Sequence, residues 1–159
     1  MKPGPKPKAT RGEQTVEYSK QALALTESFE SCRLTAYPDI RGVMTIGWGH
    51  TGPEVVEGLA WTQNQADTQL VVDLQRAERM VNTCVTVELT QGQYDALVDF
   101  AFNLGCNAEK GSTLLKLVNQ GDCADAANEF EKWDHASGQV VAGLLRRRIA
   151  EEQEFNSGD

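Results

Sequence analysis

Three side chains in the first third of the chain, Glu30, Asp39 and Thr45, carry groups that could act together on a glycosidic bond. Glycoside hydrolysis needs two carboxyl groups, one to protonate the leaving oxygen and one to act as base or nucleophile. A threonine hydroxyl accepts and donates at once, so it can hold a water molecule beside a carboxylate. Taken alone, the pair has a plainer interpretation, in which Glu30 ends a helix and Asp39 forms a turn.

These residues lie where a predicted helix meets a predicted hairpin. An apolar stripe with spacings of 4, 3 and 4 residues predicts a helix from about residue 14 to Glu30. The stripe consists of Tyr18, Ala22, Leu25 and Phe29. Residues 33–49 predict a β-hairpin with a short third strand or turn at 47–49. Asp39 then lies at the hairpin tip and Thr45 on the returning strand, so both carboxylates can face one cleft.

The rest of the chain is predicted to be helical. Thr62 and Thr90 each precede a Gln by three residues, which is the pattern of a capping box at a helix start. Further helices are predicted to begin at Ser112 and Asp122, and a last one to run from about 140 to 155, with Gly105 as a cap. Because strands are confined to residues 33–49, the predicted class is α+β and mainly helical. A small β-hairpin lobe and a helical lobe are joined by the long helix near 62–82, and a cleft between them is the expected site.

The charge distribution separates a basic tail from an acidic body. The chain has 15 basic and 23 acidic residues, a net charge of −8, but residues 1–12 carry four basic residues and no acidic one. The remainder is therefore 11 minus 23, or −12, which argues against nucleic-acid binding. Residues 1–13 are predicted to be a flexible tail and 14–159 a single domain. The tail is either a solvated leader or an arm that binds an anionic envelope surface.

The residues from Glu30 to His50 carry a family pattern. They read Glu-x-x-Arg-Leu-x-Ala-Tyr-x-Asp-x-x-Gly-x-x-Thr-Ile-Gly-x-Gly-His. This closely resembles the phage lysozyme family, the muramidase endolysins of tailed phages, in which a Glu, eight residues, an Asp, five residues and a Thr follow one another. Downstream segments such as 102–105 and 112–115 support the resemblance, which covers roughly residues 15–156.

The resemblance implies a lysozyme-like fold and hydrolysis of the β-1,4 bond between N-acetylmuramic acid and N-acetylglucosamine in peptidoglycan. Glu30 would be the general acid, Asp39 would hold and activate a water molecule, and Thr45 would position that water. The chemistry needs no metal or cofactor. An inverting, single-displacement reaction is expected, and the enzyme is expected to be a monomer.

Other residues have weaker assignments. Asp73 lies on the predicted inner face of the long helix, and a buried Asp needs a partner, so we predict a structural pair with His50. A catalytic base is the alternative role for His50. The resemblance implies substrate contacts by Asn103 and by an arginine near the catalytic Glu. Three consecutive arginines leave the register open, and we favour Arg147 over a merely solvated basic face.

The four cysteines form no CxxC pair, and a disulfide between Cys106 and Cys123 is the pairing that the periplasm could favour. From its apolar pattern we expect no signal peptide, signal anchor or transmembrane segment. We therefore expect the protein to accumulate in the host cytoplasm, pass through a holin-type lesion and act in the periplasm at lysis. A virion-borne or prophage lysozyme and an inactive murein-binding module are the alternatives. Intact Glu30, Asp39 and Thr45 argue against the inactive module.

Overall fold

The structure, a computed structural model, describes residues 10–11, 14–105, 112–136 and 139–158. At its start, β1 (Thr10–Arg11) pairs antiparallel with β2 (Gln14–Thr15). The first helix, α1, spans Lys20–Phe29 and therefore starts later than predicted. The reason is Ser19, which stays extended and accepts a hydrogen bond from the Ala22 N–H as an N-cap.

An antiparallel sheet follows α1 directly. It consists of β3 (Arg33–Pro38), β4 (Met44–Gly47) and β5 (His50–Thr51), in the order β3–β4–β5. Tyr37 lies opposite Thr45, and the tip between the first two strands closes with Gly42 at φ 80°. A positive φ is easily adopted by glycine, which has no Cβ to clash. The predicted hairpin is confirmed. Of the two alternatives at 47–49 the structure has the turn, at residues 48–49, and the third strand follows it at His50–Thr51.

Two long helices follow the sheet. The helix α2 spans Gln63–Cys84 and α3 spans Gln91–Leu104. Both begin with complete capping boxes, at Thr62 and Thr90, as the sequence predicts. Gly105 ends α3 with φ 88°, so its predicted capping role is also confirmed.

The last third of the chain completes the helical lobe. It contains α4 (Thr113–Asn119), α5 (Cys123–Glu129), a 3₁₀ turn (Phe130–Trp133), β6 (His135–Ala136), β7 (Gln139–Val140) and α6 (Ala142–Phe155). The prediction that strands are confined to one segment was wrong, because β6 pairs with β7. Val140 belongs to β7, and the Val141 N–H donates to the Asp134 carbonyl at 2.8 Å, which delays the start of α6.

The apolar core lies mainly in the helical lobe. It surrounds α3, whose Leu97, Val98 and Phe100 are 0% exposed. The helix α2 contributes Leu70, Leu74 and Val81 to the same core, and it also packs on the sheet. The α+β, mainly helical class with a small β lobe and a helical lobe joined by a long helix is therefore confirmed. None of the described helices has the length and apolar character needed to cross a bilayer.

Candidate active site

A cleft of about 690 Å³ lies between the sheet and the helical lobe. The end of α1 and the sheet contribute one wall, and α2 and the end of α3 contribute the other. Its lining includes Glu30, Tyr37, Asp39, Arg41, Thr45, Gly49, His50, Thr51, Asp73, Arg76, Phe102 and Asn103. The three residues that the sequence predicts to act together thus face one cavity.

Glu30 enters the cleft because α1 ends at it. Its backbone is extended (φ −99°, ψ 124°), while its N–H still donates to the Thr26 carbonyl. The carboxyl group is held on one side, where Oε1 accepts a 2.6 Å hydrogen bond from Arg147 Nη1. On the other side, Oε2 lies only 2.7 Å from the position that a Cβ would occupy on Gly49. A glycine at residue 49 therefore leaves room for the carboxyl group.

Asp39 is held by the backbone of its own turn. Its Oδ1 accepts from the N–H groups of Arg41 (2.8 Å) and Val43 (2.9 Å). These donors, the Val43 N–H foremost, hold the pKa of Asp39 below its usual value. The second oxygen, Oδ2, has a longer contact of 3.3 Å with the exposed Arg41 guanidinium. Asp39 is thus an ionised carboxylate at neutral pH, and it lines the cleft.

Thr45 is buried on β4, opposite Tyr37, and lines the same cleft as Asp39. Its hydroxyl donates to the Val43 carbonyl at 2.9 Å. Since that hydrogen is used, the hydroxyl oxygen presents lone pairs to the cleft and acts there as an acceptor.

Arg147 on α6 joins Glu30 to the helical lobe. Its Nε and Nη2 donate to the two carboxylate oxygens of Asp99, each at 2.9 Å, while Nη1 binds Glu30. Burial by itself would lower the pKa of Arg147, but the charges of Asp99 and Glu30 raise it above its usual value. Burial would likewise raise the pKa of Asp99, yet Arg147 and hydrogen bonds from Glu151, Arg147 and Thr26 hold it low. The guanidinium is 3% exposed and lies behind Glu30, outside the cleft lining.

Asn103 lines the cleft next to this network. Its Oδ1 accepts a 2.8 Å hydrogen bond from Arg148 Nη2, and the same nitrogen donates to Glu151 Oε1 at 2.6 Å. Because Arg148 occupies the amide oxygen, the amide N–H₂ group of Asn103 is the part left to donate elsewhere.

His50 is bound by two carboxylates at the other side of the cleft. Nδ1 lies 2.8 Å from Asp73 Oδ2, and Nε2 lies 2.6 Å from Glu54 Oε1. The hydrogen bond from His50 lowers the pKa of Glu54. The ring also packs against Trp61, with centroids 5.6 Å apart.

Comparison with known proteins identifies the family. The model of the phage lysozyme family matches residues 27–151, which is most of the chain. The chain belongs to the phage lysozyme family. The endolysin of Bacillus phage PZA is 40% identical over 145 residues, covering 90% of this chain and 56% of its own length. The endolysin of Acyrthosiphon pisum secondary endosymbiont phage 1 is 41% identical, covering 87% of this chain and 97% of its own. The chain therefore spans only a little over half of the first of these relatives.

Solved structures agree with the family assignment. The muramidase domain of SpmX from Asticaccaulis excentricus has a TM-score of 0.81 and 38% identity. The likeness covers 89% of this chain and 99% of that domain. Such agreement along nearly the whole domain supports the two-lobed arrangement described above.

The structure brings four of the predicted site residues to one cleft: Glu30, Asp39, Thr45 and Asn103. It also joins His50 to Asp73, as predicted. Arg147 contacts Glu30 as favoured, but from behind it and not from the substrate side. The predicted partner of Cys123, Cys106, lies outside the described residues, and Cys123 itself is an exposed free thiol.

Sequence reasoning missed three acids: Asp99, Glu151 and Glu54. Asp99 shares the apolar face of α3, a signal that could have marked it as buried.

Proposed function

We propose that the chain is an endolysin that hydrolyses the β-1,4 bond between N-acetylmuramic acid and N-acetylglucosamine in peptidoglycan. The observation that carries this is the placement of Glu30 and the Asp39–Thr45 pair on one cleft of a phage lysozyme fold. The names of the relatives, two endolysins and a muramidase domain, support the same activity.

In this mechanism Glu30 is the general acid. Its Oε1 stays bound to Arg147, so Oε2, beside Gly49, is the oxygen that carries the proton to the glycosidic oxygen. Arg147 is a positioning residue: three of its nitrogens are bound by Glu30 and Asp99, which fixes the carboxyl group in the cleft. Asn103, with its amide N–H₂ free of Arg148, is the proposed substrate contact in the helical lobe.

Asp39 is the general base. Backbone donors keep it ionised, and Oδ2 accepts a hydrogen from a water molecule. The other hydrogen of that water is accepted by the Thr45 hydroxyl, whose own hydrogen points to Val43. With both hydrogens held, the water directs a lone pair at the anomeric carbon.

The proposed step is a single displacement. The water oxygen bonds to the anomeric carbon as the bond to the leaving sugar breaks. The proton from Glu30 passes to the leaving oxygen, and a water proton passes to Asp39. No covalent sugar–enzyme bond forms, so the configuration inverts.

The stereochemistry is tested by NMR of the first-formed reducing end on a β-linked substrate. The proposal expects the α-anomer first. An initial β-anomer, or a trapped adduct on Asp39, would replace the base assignment of Asp39 with a nucleophilic one.

The activity itself is tested by the clearing of permeabilised Gram-negative cells and the release of reducing sugar from purified peptidoglycan. We expect Glu30→Gln to abolish both signals while the circular dichroism spectrum is retained. Glu27→Gln is the matched control, since it makes the same change on the same helix outside the cleft lining. A Glu30→Gln protein that clears cells at the parent rate would refute the assignment.

The biological setting follows from the same proposal. The protein would accumulate in the host cytoplasm, reach the cell wall at lysis and act as a monomer without a cofactor. His50 and Asp73 would form a structural tie between the sheet and α2, and the basic residues of 1–12 would attract the enzyme to an anionic envelope.

A further inference from the structure

A cluster of buried charges lies behind Glu30 and takes no direct part in the bond-breaking step. Asp99, Arg148 and Glu151 are each 0% exposed, and Arg147 is 3% exposed. The cluster joins α3 to α6, and Arg147 connects it to Glu30 at the end of α1.

Within this cluster two carboxyl groups touch. Glu151 Oε1 accepts from Arg148 Nη2, but Oε2 is buried and meets no N–H or O–H donor among the described residues. The Glu151 carboxyl group lies within hydrogen-bonding reach of the Asp99 carboxyl group, and Arg147 lies against both. Two ionised carboxylates can only accept, so a hydrogen bond between them requires one proton. An unsatisfied acceptor on Glu151 becomes a satisfied donor when Glu151 carries that proton.

The surrounding donors decide which acid is protonated. Asp99 receives two hydrogen bonds from Arg147 and one from Thr26 Oγ1 at 2.6 Å. Glu151 receives one from Arg148, and Arg147 Nε is 3.9 Å away. Burial, followed by the hydrogen bond to Asp99 and its charge, raises the pKa of Glu151 well above its usual value. The proton therefore belongs to Glu151.

We propose that Glu151 is a neutral hydrogen-bond donor that fixes Asp99 and, through Asp99 and Arg147, positions Glu30 for the acid step. The positioning role rests on the proposed function. The protonation of Glu151 does not, because it is argued from the contacts within the buried cluster.

The charged groups that face Glu151 are Asp99 from α3 and Arg147 and Arg148 from α6, and Thr26 and Tyr18 of α1 adjoin Asp99. Arg147 is compensated by Asp99 and Glu30, whereas the charged neighbour of Arg148 is Glu151, at 2.6 Å. A neutral Glu151 keeps a carbonyl oxygen that accepts this hydrogen bond from Arg148.

The protonation is tested by infrared difference spectroscopy at pH 7 between the parent protein and Glu151→Gln. The parent is expected to show the C=O stretch of a protonated carboxyl group that the variant lacks. If the difference spectrum contains carboxylate bands in its place, Glu151 is ionised and the inference is overturned. This readout is independent of catalysis, so an inactive parent would refute the proposed function and leave the protonation result intact.

The positioning role is tested by comparing Glu151→Gln with Glu151→Met. Gln keeps an N–H donor for Asp99 and a carbonyl for Arg148, whereas Met has similar length and neither group. We expect Met to lower kcat by about tenfold with KM unchanged, and Gln to restore most of that loss without moving the pH profile. A Gln variant as slow as Met, or one with a shifted pH profile, would overturn the role. If the Glu151→Met protein fails to fold, the kcat and pH profile of Glu151→Gln against the parent still test the positioning role, and the infrared band still tests the protonation.

Discussion

Replacing Gly49 with Ala places one methyl group directly against the catalytic carboxyl group. The Cβ of residue 49 would lie 2.7 Å from Glu30 Oε2, whereas ordinary van der Waals contact begins at 3.4 Å. The carboxyl group must therefore retreat by about 0.7 Å, the difference between those two distances. It cannot rotate away freely, because Oε1 is bound to Arg147 at 2.6 Å.

Two separate effects follow from this substitution. Gly49 has φ 80°, and a left-handed conformation costs an alanine about 1–2 kcal/mol of folding stability. For a protein of this size that corresponds to a decrease in Tm of roughly 2–8 °C. A misplacement of 1 Å can cost about 100-fold in rate, so a displacement of this size is expected to lower kcat by roughly 10- to 100-fold.

The stability effect is separated from the catalytic effect by Gly121→Ala. Gly121 has φ 78°, lies outside the cleft, and has nothing within 4 Å of its Cβ position. Both variants are expected to lose similar Tm, measured by calorimetry. Only Gly49→Ala should lose kcat, measured as initial rates on purified peptidoglycan. If a folded Gly49→Ala protein keeps the kcat of Gly121→Ala, the close approach of residue 49 to Glu30 does not limit the acid step.

Three further perturbations test the network around the cleft. Arg147→Lys keeps the charge but loses the two-pronged contact with Asp99, so we expect kcat to fall about tenfold or more, while Arg146→Lys, on the exposed side of α6, keeps the parent rate. His50→Asn keeps a donor near Asp73 but cannot reach Glu54. Since His50 lowers the pKa of Glu54, its stabilisation is present above the ordinary Glu pKa of 4.5 and is lost as the pH falls through the lower folded value. The difference in unfolding free energy between parent and variant, from urea titrations, should therefore shrink below that pH. If the two proteins have the same unfolding free energy at every pH, the His50–Glu54 contact does not stabilise the fold. Removing residues 1–12 should slow clearing at low salt and not at high salt, and equal clearing at low salt would make the tail a passive leader.

The parts of the fold that the sequence predicts well are those held by local contacts. The capping boxes at Thr62 and Thr90 are satisfied by residues three positions away, so the chain itself contains the signal. The same is true of Asp39, whose carboxylate binds N–H groups two and four residues later. Residue types and spacing therefore predict this half of the site.

The parts that the sequence does not predict depend on contacts between distant segments. The start of α1 is set partly by Ser19, whose hydroxyl donates to Asp95, 76 residues away. Nothing local distinguishes Glu151 from the solvated acids of other helices, and Asp99 is marked only by its place on the apolar face of α3. Both become buried only when α3 and α6 pack together, and their protonation states are consequences of that packing.

The arginine run at 146–148 shows why helical register matters in that half of the site. Successive residues on a helix point about 100° apart, so three identical neighbours meet three environments. Arg146 is exposed, Arg147 faces Asp99 and Glu30, and Arg148 lies 5.3 Å from the centre of the Phe100 ring and binds Asn103. Glu30 is therefore oriented by helix packing, and Asp39 is oriented by its own turn. It follows that loosening the contact between α3 and α6 should displace the acid and leave the base in place.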